Sequence, residues 1–165
     1  MIQITTANLS DVCVINRLAH KIWWHTYGDF ISTQQITFML NEMYSEASLQ
    51  NQLQQGHTFK LISFENNFCG FASYCITSKI GLFKIAKLYI HQNYQGLGLG
   101  KALIYTIENE VKVLGATAIQ LNVNRENKAQ YFYLKMGYKI FDSVNICYHN
   151  FILNDYVMHK QLNNQ

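Results

Sequence analysis

The segment LYIHQNYQGLGLGKALI, Leu88 to Ile104, constrains the fold of this chain more than any other part of the sequence. An apolar strand pattern runs into glycines at alternate positions, Gly96, Gly98 and Gly100, and a helix pattern follows directly. Glycines let the backbone turn sharply and let a ligand approach bare N–H groups, and a helix start adds unpaired donors and partial positive charge. The segment therefore predicts an anion site suited to a pyrophosphate, with Lys101 supplying a full positive charge nearby.

Two other glycine-rich phosphate motifs do not fit this segment. The dinucleotide fingerprint requires Gly-x-Gly-x-x-Gly, but Lys101 or Leu103 stands at its sixth position, and the next strand ends without an acidic residue, at Leu121–Val123. The P-loop requires a glycine where Gln95 stands and a Ser or Thr where Ala102 stands. Spacing alone leaves one alternative open, a glycine-rich turn that only joins a strand to a helix.

The pattern of apolar residues predicts a mixed α/β (α+β) fold. Strands are predicted at Ile2–Thr6, Thr58–Glu65, Phe68–Thr77, Gly81–Ile90, Thr117–Val123, Tyr138–Val144 and Tyr156–Leu162. Helices are predicted from a Ser10 cap to about Tyr27, from Ser32 with a restart at Ser45 and an end near Gly56, from Gly98 to Gly115, and over Glu126–Met136. The order includes a hairpin with its turn at Asn66–Asn67 and one βαβ unit in the second half.

Composition limits the class of protein. The 165 residues fit a single domain, 1–165, and the 49% of hydrophobic residues suffice for a core. A net charge of +3 does not suggest nucleic-acid binding, which usually needs a dense basic patch. Neither a signal peptide nor an apolar run of membrane-spanning length is present, so we expect no membrane association and a cytoplasmic location.

Cysteine and histidine spacings do not indicate a metal or redox site. The four cysteines lack Cys-x-x-Cys spacing, so we expect reduced and mostly buried thiols. The six histidines lack the spacing of metal ligands, and we predict no metal. The sequence has no Gly-x-Ser-x-Gly element, so an acyl-enzyme is not indicated.

Two motifs resemble a known family. Gln95-x-x-Gly98-x-Gly100 after an LYI strand resembles the acetyl-CoA motif of the Gcn5-related N-acetyltransferases (GNAT). LNVNRENKAQYFYLKMGYKI, residues 121–140, is similar to the family's next strand and helix. The matching positions are Asn127, Ala129, Phe132, Tyr133, Lys135 and Gly137, with Tyr138 replacing the usual Phe. The resemblance implies a GNAT fold: a mostly antiparallel twisted sheet of about six to seven strands, about four flanking helices, and one βαβ unit carrying the acetyl-CoA site.

The resemblance extends to a branch of this family. The stretch Ile22 to Gln52 and the ending NDYVMHKQL look like the branch that contains bacterial spermidine/spermine acetyltransferases of the PaiA type. One departure is the segment HQNY, His91 to Tyr94, which lacks the Pro that relatives often carry before the glutamine motif. That departure leaves the rigidity of the loop in question.

The resemblance implies a set of residues that bind acetyl-CoA as co-substrate. The strand before the loop, bulged and splayed from its neighbour, would offer its backbone to the pantetheine arm, and an Ile90 N–H would stabilise the developing oxyanion. Asn127 would bond to the pantetheine amide, unless it only bonds its own helix start. The implied cofactor-binding residues are Leu88, Tyr89, Ile90, Gln95, Gly96, Leu97, Gly98, Leu99, Gly100, Lys101, Ala102, Asn122, Asn127 and Lys135.

The resemblance implies direct attack of an amine on the acetyl thioester, with Tyr133 as the general acid. Tyr133 could also be only a core aromatic of an aromatic-rich helix. An alkyl amine with a pKa near 10.4 is about 0.04% neutral at pH 7, a handicap of roughly 4–5 kcal/mol, so some group must take its proton. The sequence does not rank the candidates for that base, which are His25, Asp29, Glu42, Glu46 and His149.

The acceptor groove of the family is built by the N-terminal helices and the last strands. In that region this chain concentrates Trp23, Trp24, Tyr27, Phe30, Phe38, Met39 and Tyr44, together with carboxylates at Asp29, Glu42 and Glu46. The leading hypothesis is N-acetylation of a small primary amine such as a polyamine. Two alternatives remain open: a non-catalytic acyl-CoA-binding regulatory module, and a protein or peptide N-acetyltransferase. Dimers are common in the family, so a homodimer is one expectation for the assembly.

Overall fold

Seven strands form one sheet in the computed structural model, which describes residues 1–162. The strands are β1 Ile2–Thr6, β2 Thr58–Phe64, β3 Asn67–Ile76, β4 Leu82–Ile90, β5 Ala118–Asn124, β6 Lys139–Tyr148 and β7 Phe151–Gln161. Their order across the sheet is β1-β2-β3-β4-β5-β7-β6. Only β4 and β5 pair in parallel, and the other five pairs are antiparallel. The predicted domain 1–165 also covers residues 163–165, which lie outside the described residues.

Helices cover both faces of the sheet. They are α1 Val12–Tyr27, α2 Thr33–Tyr44, α3 Glu46–Gln54, α4 Leu99–Val113 and α5 Ala129–Lys135. Buried residues of α1, α2 and α3 form one core with β2 and β3, and those of α4 and α5 form a second core on the opposite face. The mixed α/β (α+β) class is confirmed. No helix within residues 1–162 is long and apolar enough to cross a membrane.

Apolar periodicity explains how the two cores share one sheet. In β2, Phe59 and Leu61 contribute to the core under α1, whereas Ile62 contributes to the core under α4, because successive side chains of a strand point to opposite faces. In α4, apolar residues recur every three or four positions, and Leu99, Leu103, Ile107 and Val111 are buried, whereas Leu114 just after the helix is exposed. Strand β2 and helix α4 therefore have the apolar periods that their surroundings require.

The predicted caps of the first helices and the predicted turn of the first hairpin are partly correct. The serine caps at Ser32 and Ser45 are confirmed, since each hydroxyl accepts a hydrogen bond from an N–H three residues later. The predicted Ser10 cap is wrong. A short 3₁₀ turn precedes α1, and Asn8 caps this turn in a capping box with Asp11. The predicted hairpin turn at Asn66–Asn67 is shifted by one residue, since Glu65 and Asn66 have the positive φ angles.

Two elements of the second half differ in length from the prediction. Helix α5 starts at Ala129 rather than near Glu126, because the Asn124 and Asn127 side chains accept the N–H groups of Glu126 and Ala129 at 2.9 Å and hold this stretch in turns. Strands β6 and β7 are longer than predicted and meet in a hairpin whose turn includes His149 at φ 52.

Helix α4 is anchored by a buried carboxylate, and this contact generates a stability prediction. Glu108 accepts hydrogen bonds from the Tyr138 hydroxyl at 3.0 Å and from Lys160 Nζ at 2.8 Å. Glu108→Ala leaves both donors without their acceptor, so we expect the free energy of unfolding to fall by about 3 kcal/mol in urea titrations. The neighbouring exposed change Asn109→Ala should stay within about 0.5 kcal/mol of the wild type. Equal stability of the two variants would contradict this assignment.

Candidate active site

The parallel strands β4 and β5 separate before either strand ends. Pairing of β4 with β5 runs from Leu82 opposite Ala118 to Ile85 opposite Leu121, although β4 continues to Ile90 and β5 to Asn124. A bulge at Ala86 accompanies the separation, since the register of β4 against β3 shifts at this residue. Bulges bend a strand and increase its twist. The result is a wedge-shaped gap between β4 and β5.

Backbone groups at the end of β4 face this gap. The His91 N–H donates to the Cys69 carbonyl of β3 at 2.8 Å. Because strand residues alternate the direction of their backbone groups, those of Leu88 and Ile90 point away from β3 and into the gap. The Gln95 side-chain amide donates to the Ile90 carbonyl at 3.1 Å. Gln95 therefore ties the loop to the strand and leaves other backbone groups of this edge for a ligand.

The turn after β4 exposes a row of amide donors. Within residues 1–162, the backbone N–H groups of residues 96–101 have no acceptor, and the first helical bond of α4 runs from the Ala102 N–H to the Gly98 carbonyl at 3.0 Å. Gly96 and Gly98 have φ angles of +82° and +77°, and a Cβ at either would meet no atom within 4 Å. This open space beside unpaired donors at a helix start fits a pyrophosphate.

Gly100 serves a different purpose from the two glycines before it. Its φ is ordinary, but a Cβ there would stand 3.2 Å from the Phe132 ring of α5. The glycine lets α4 approach α5 closely. It thereby fixes α5, which carries Tyr133.

A single cavity of about 1330 Å³ brings most of the predicted cofactor residues together. Those that line it are Leu88, Tyr89, Ile90, Gln95, Gly96, Gly98, Leu99, Gly100, Lys101, Asn122 and Asn127. Leu97, Ala102 and Lys135 do not line it. Leu97 is 48% exposed beside the turn, and Lys135 ends α5 on the surface. The side-chain oxygen of Asn127, Oδ1, accepts a hydrogen bond from the Ala129 N–H, as in the helix-start alternative. Its amide N–H groups have no acceptor within the described residues.

Tyr133 projects from α5 into the core under α4 and is 7% exposed. It lines the cavity, and its hydroxyl has no hydrogen-bond partner within residues 1–162. Burial raises the pKa of Tyr133 above its usual range, so the phenol remains protonated at neutral pH. A protonated phenol that opens onto the cavity can donate a proton to a developing anion.

An aromatic wall closes the other side of the cavity. The Tyr27 and Tyr89 hydroxyls are hydrogen-bonded at 2.9 Å, and the Trp23 ring lies 4.4 Å from the Tyr27 ring. The predicted acceptor residues Trp23, Tyr27, Phe30, Met39 and Tyr44 line the cavity. Trp24 is exposed, and Phe38 contacts Tyr148 and Phe151 at the outer hairpin instead.

Charged side chains are unevenly placed around the cavity. Of the predicted base candidates, His25, Asp29 and Glu42 line it, whereas Glu46 and His149 do not. On β4, burial lowers the pKa of Lys87 to about 8, and its ammonium donates to Gln52 Oε1 at 2.6 Å.

Sequence reasoning missed Asp155 of β7, which also lines the cavity. The amide of Asn122 donates to its carboxylate at 3.4 Å. Burial raises the pKa of Asp155. The local pattern of β7 gives no signal for this residue, because its place beside the gap depends on the pairing of Asp155 with Asn124 on β5.

Known proteins are similar to this chain in sequence and in fold. The family model described as "Acetyltransferase (GNAT) domain" matches residues 29–158. The chain is 25% identical to a spermidine N(1)-acetyltransferase of Thermoplasma acidophilum over 97% of each chain. The crystal structure of a PaiA N-acetyltransferase from T. acidophilum in complex with coenzyme A superposes with a TM-score of 0.85, at 24% identity over 98% of this chain and 99% of that one. The Escherichia coli ribosomal-protein-S18-alanine N-acetyltransferase superposes at 0.74, with 15% identity over 100% of this chain and 96% of that one.

The chain belongs to the GNAT family of acetyltransferases. It is an N-acetyltransferase that uses acetyl-CoA as its co-substrate.

The exposed amides of the glycine turn generate a binding prediction. In Gly98→Ala a methyl group enters the space beside these donors. We therefore expect the Kd for acetyl-CoA, measured by calorimetry, to rise by about tenfold or more, which corresponds to the loss of one charge-assisted hydrogen bond. Gly115→Ala is the matched control, since Gly115 also has a positive φ, at +91°, and open space around it, but lies at the far end of α4. Both variants carry the same kind of backbone strain. A similar loss of affinity in both would refute the role of the turn.

Proposed function

We propose that this enzyme acetylates a small primary amine, of which a polyamine is the leading candidate. The cavity combines aromatic rings with the carboxylates of Asp29, Glu42 and Asp155, which suits a molecule that is apolar along its chain and cationic at its amines. The 25% identical relative from T. acidophilum is named for the acetylation of spermidine. Similarity to PaiA proteins over nearly the whole chain supports placing this chain in the same branch.

The observation that carries this proposal is a cavity that passes through the sheet. The glycine turn and Tyr133 contribute to it from the side of α4 and α5, and the aromatic wall and the carboxylates contribute from the side of α1 and α2. The β4–β5 gap joins the two sides. A thioester held in the gap could be approached by an amine from one side while its sulfur is protonated from the other.

Specific residues would hold the co-substrate in this scheme. The amides of residues 96–101, with Lys101 beside them, would bind the pyrophosphate, and the gap-facing backbone of Leu88 and Ile90 would pair with the pantetheine arm. Asn122 and Asn127 line the same cavity. An N–H at Ile90 would stabilise negative charge on the thioester oxygen.

The reaction requires the nitrogen of the amine to lose two protons and the sulfur of coenzyme A to gain one. The amine loses one proton before it attacks the thioester carbon, and the nitrogen loses a second as the amide forms. When the carbon–sulfur bond breaks, Tyr133 would donate its proton to the thiolate and recover one from the amine by way of solvent. A thiol has a pKa near 8.5 and a phenol near 10, and burial raises the pKa of Tyr133 further, so this donation is uphill at rest and becomes effective only as charge grows on the sulfur.

An acceptor panel tests the proposed activity. Release of coenzyme A from acetyl-CoA should be fastest with spermidine or spermine, measurable with diamines and absent with an uncharged alcohol of equal length. The panel also contains an alanine-terminated peptide and an aminoglycoside. A clear preference for the peptide would replace the small-amine acceptor with a protein one, and no turnover with any acceptor would contradict the proposed reaction.

Tyr133→Phe tests the general acid. Loss of the hydroxyl should reduce kcat by about 10²- to 10⁴-fold with the Kd for acetyl-CoA nearly unchanged, because only the proton donor is removed. Tyr131→Phe, two residues earlier on the exposed face of α5, is the control and should retain wild-type kcat. The alternative of a non-catalytic acyl-CoA-binding module requires that acetyl-CoA still raises the thermal stability while Tyr133→Phe changes nothing measurable.

We also propose a cytoplasmic location and a homodimer. All four cysteines are free thiols, which fits a reducing compartment. Strand β6 is an edge strand and exposes Ile140, Phe141 and Ile146, and exposed apolar residues on an edge favour pairing with a second chain.

A further inference from the structure

The pairing of β7 places the carboxylate of Asp155 beside the β4–β5 gap on the side of α1. Tyr156 and Met158 contribute to the core under α4, so the alternation of the strand directs Asp155 to the opposite face. On the neighbouring strand, Asn122 faces the same way, since Leu121 and Val123 belong to the core under α4. The Asn122–Asp155 pair is thus on the face from which an amine would approach, opposite to Tyr133.

Asp155 differs from the other carboxylates of the cavity. Within residues 1–162, four carboxylates line it: Asp29, Glu42, Glu126 and Asp155. The first three are exposed, and Glu42 also lies 3.8 Å from His149 Nε2. Asp155 is half-buried and has no ion-pair partner in the described part of the chain. Its carboxylate accepts a side-chain hydrogen bond from the Asn122 amide. A partly desolvated, unpaired carboxylate on a strand is a better-defined cation site than a carboxylate on the surface.

The surroundings of Asp155 make its carboxylate more basic than an exposed one. Burial raises its pKa, and this effect exceeds the opposing influence of the Asn122 hydrogen bond and of the positive charges of Lys84 on β4 and Arg125 after β5. From α1, the Tyr27 hydroxyl faces the same region. A carboxylate whose pKa is raised is a better proton acceptor.

We propose that Asp155 binds the acceptor as its ammonium and takes the proton that the amine must lose before it attacks. This inference rests on the proposed function. In the step, one N–H bond of the ammonium breaks, an O–H bond forms on Asp155, and the neutral amine keeps the lone pair that attacks the thioester carbon. Asp155 then returns the proton to solvent, so the reaction releases amide, thiol and one proton overall. The second proton of the nitrogen reaches the sulfur through Tyr133.

Asp155→Asn tests the inference in the full-length enzyme, with spermidine, or the best acceptor of the panel, as the probe. We expect kcat/KM to fall by about 10²-fold or more, because the nearly isosteric amide cannot accept the proton. In the wild type, kcat/KM should decrease at acidic pH as Asp155 becomes protonated, and this acid limb should be missing in the variant. Asp155→Glu restores a carboxylate and should recover part of the activity. The Kd for acetyl-CoA by calorimetry should change less than about twofold in either variant.

Asp142→Asn on the adjacent strand β6 is the matched control, since Asp142 is exposed and does not line the cavity. It should retain wild-type kcat/KM and the same pH profile. Activity of Asp155→Asn within threefold of the wild type, or a higher KM with unchanged kcat and an unchanged acid limb, would overturn the assignment of Asp155 as the proton acceptor. Failure of the proposed function is a separate result, because a wild type that acetylates no amine is recognised before any variant is compared.

Discussion

The loss of hydrogen bonding between β4 and β5 beyond Ile85 and Leu121 is the feature on which the rest of the site depends. Buried backbone N–H and C=O groups need partners, so a sheet that opens must satisfy the groups it exposes. Gln95 satisfies the Ile90 carbonyl from the loop. The remaining groups of the edge are left for water or a ligand, which makes the gap a place where an extended amide-containing arm can replace a strand.

A sheet that opens at its centre has to be held together elsewhere, and α4 does this. Its Glu110 contacts Lys60 of β2 and the Tyr74 hydroxyl of β3, on one side of the gap. Its Glu108 contacts Lys160 of β7 and Tyr138, on the other side. The helix whose N-terminus offers the amide donors therefore also ties the two halves of the sheet, and a shift of α4 would change the width of the gap and the position of the donors together.

Local chemistry explains which parts of this structure could be predicted from the sequence. Gly96 and Gly98 were found because their positive φ angles are a property of single residues, and the caps at Ser32 and Ser45 because a hydroxyl reaches only three residues along the chain. The place of Asp155 was not found, because it follows from pairing with a strand about 30 residues earlier in the sequence. The length of β6 was underestimated because this strand is mostly exposed and lacks the apolar alternation that marks a strand against a core.

The two faces of the sheet give the two sides of the cavity different electrostatic character. On the side of α5, burial without an ionic partner keeps Tyr133 protonated and able to donate. On the side of α1, burial raises the pKa of Asp155, which makes this carboxylate a stronger base, and lowers the pKa of Lys87. Because desolvation disfavours the charged form, the same partly dry cavity keeps the phenol protonated until charge grows on the sulfur and makes the carboxylate a better acceptor for the proton of an amine.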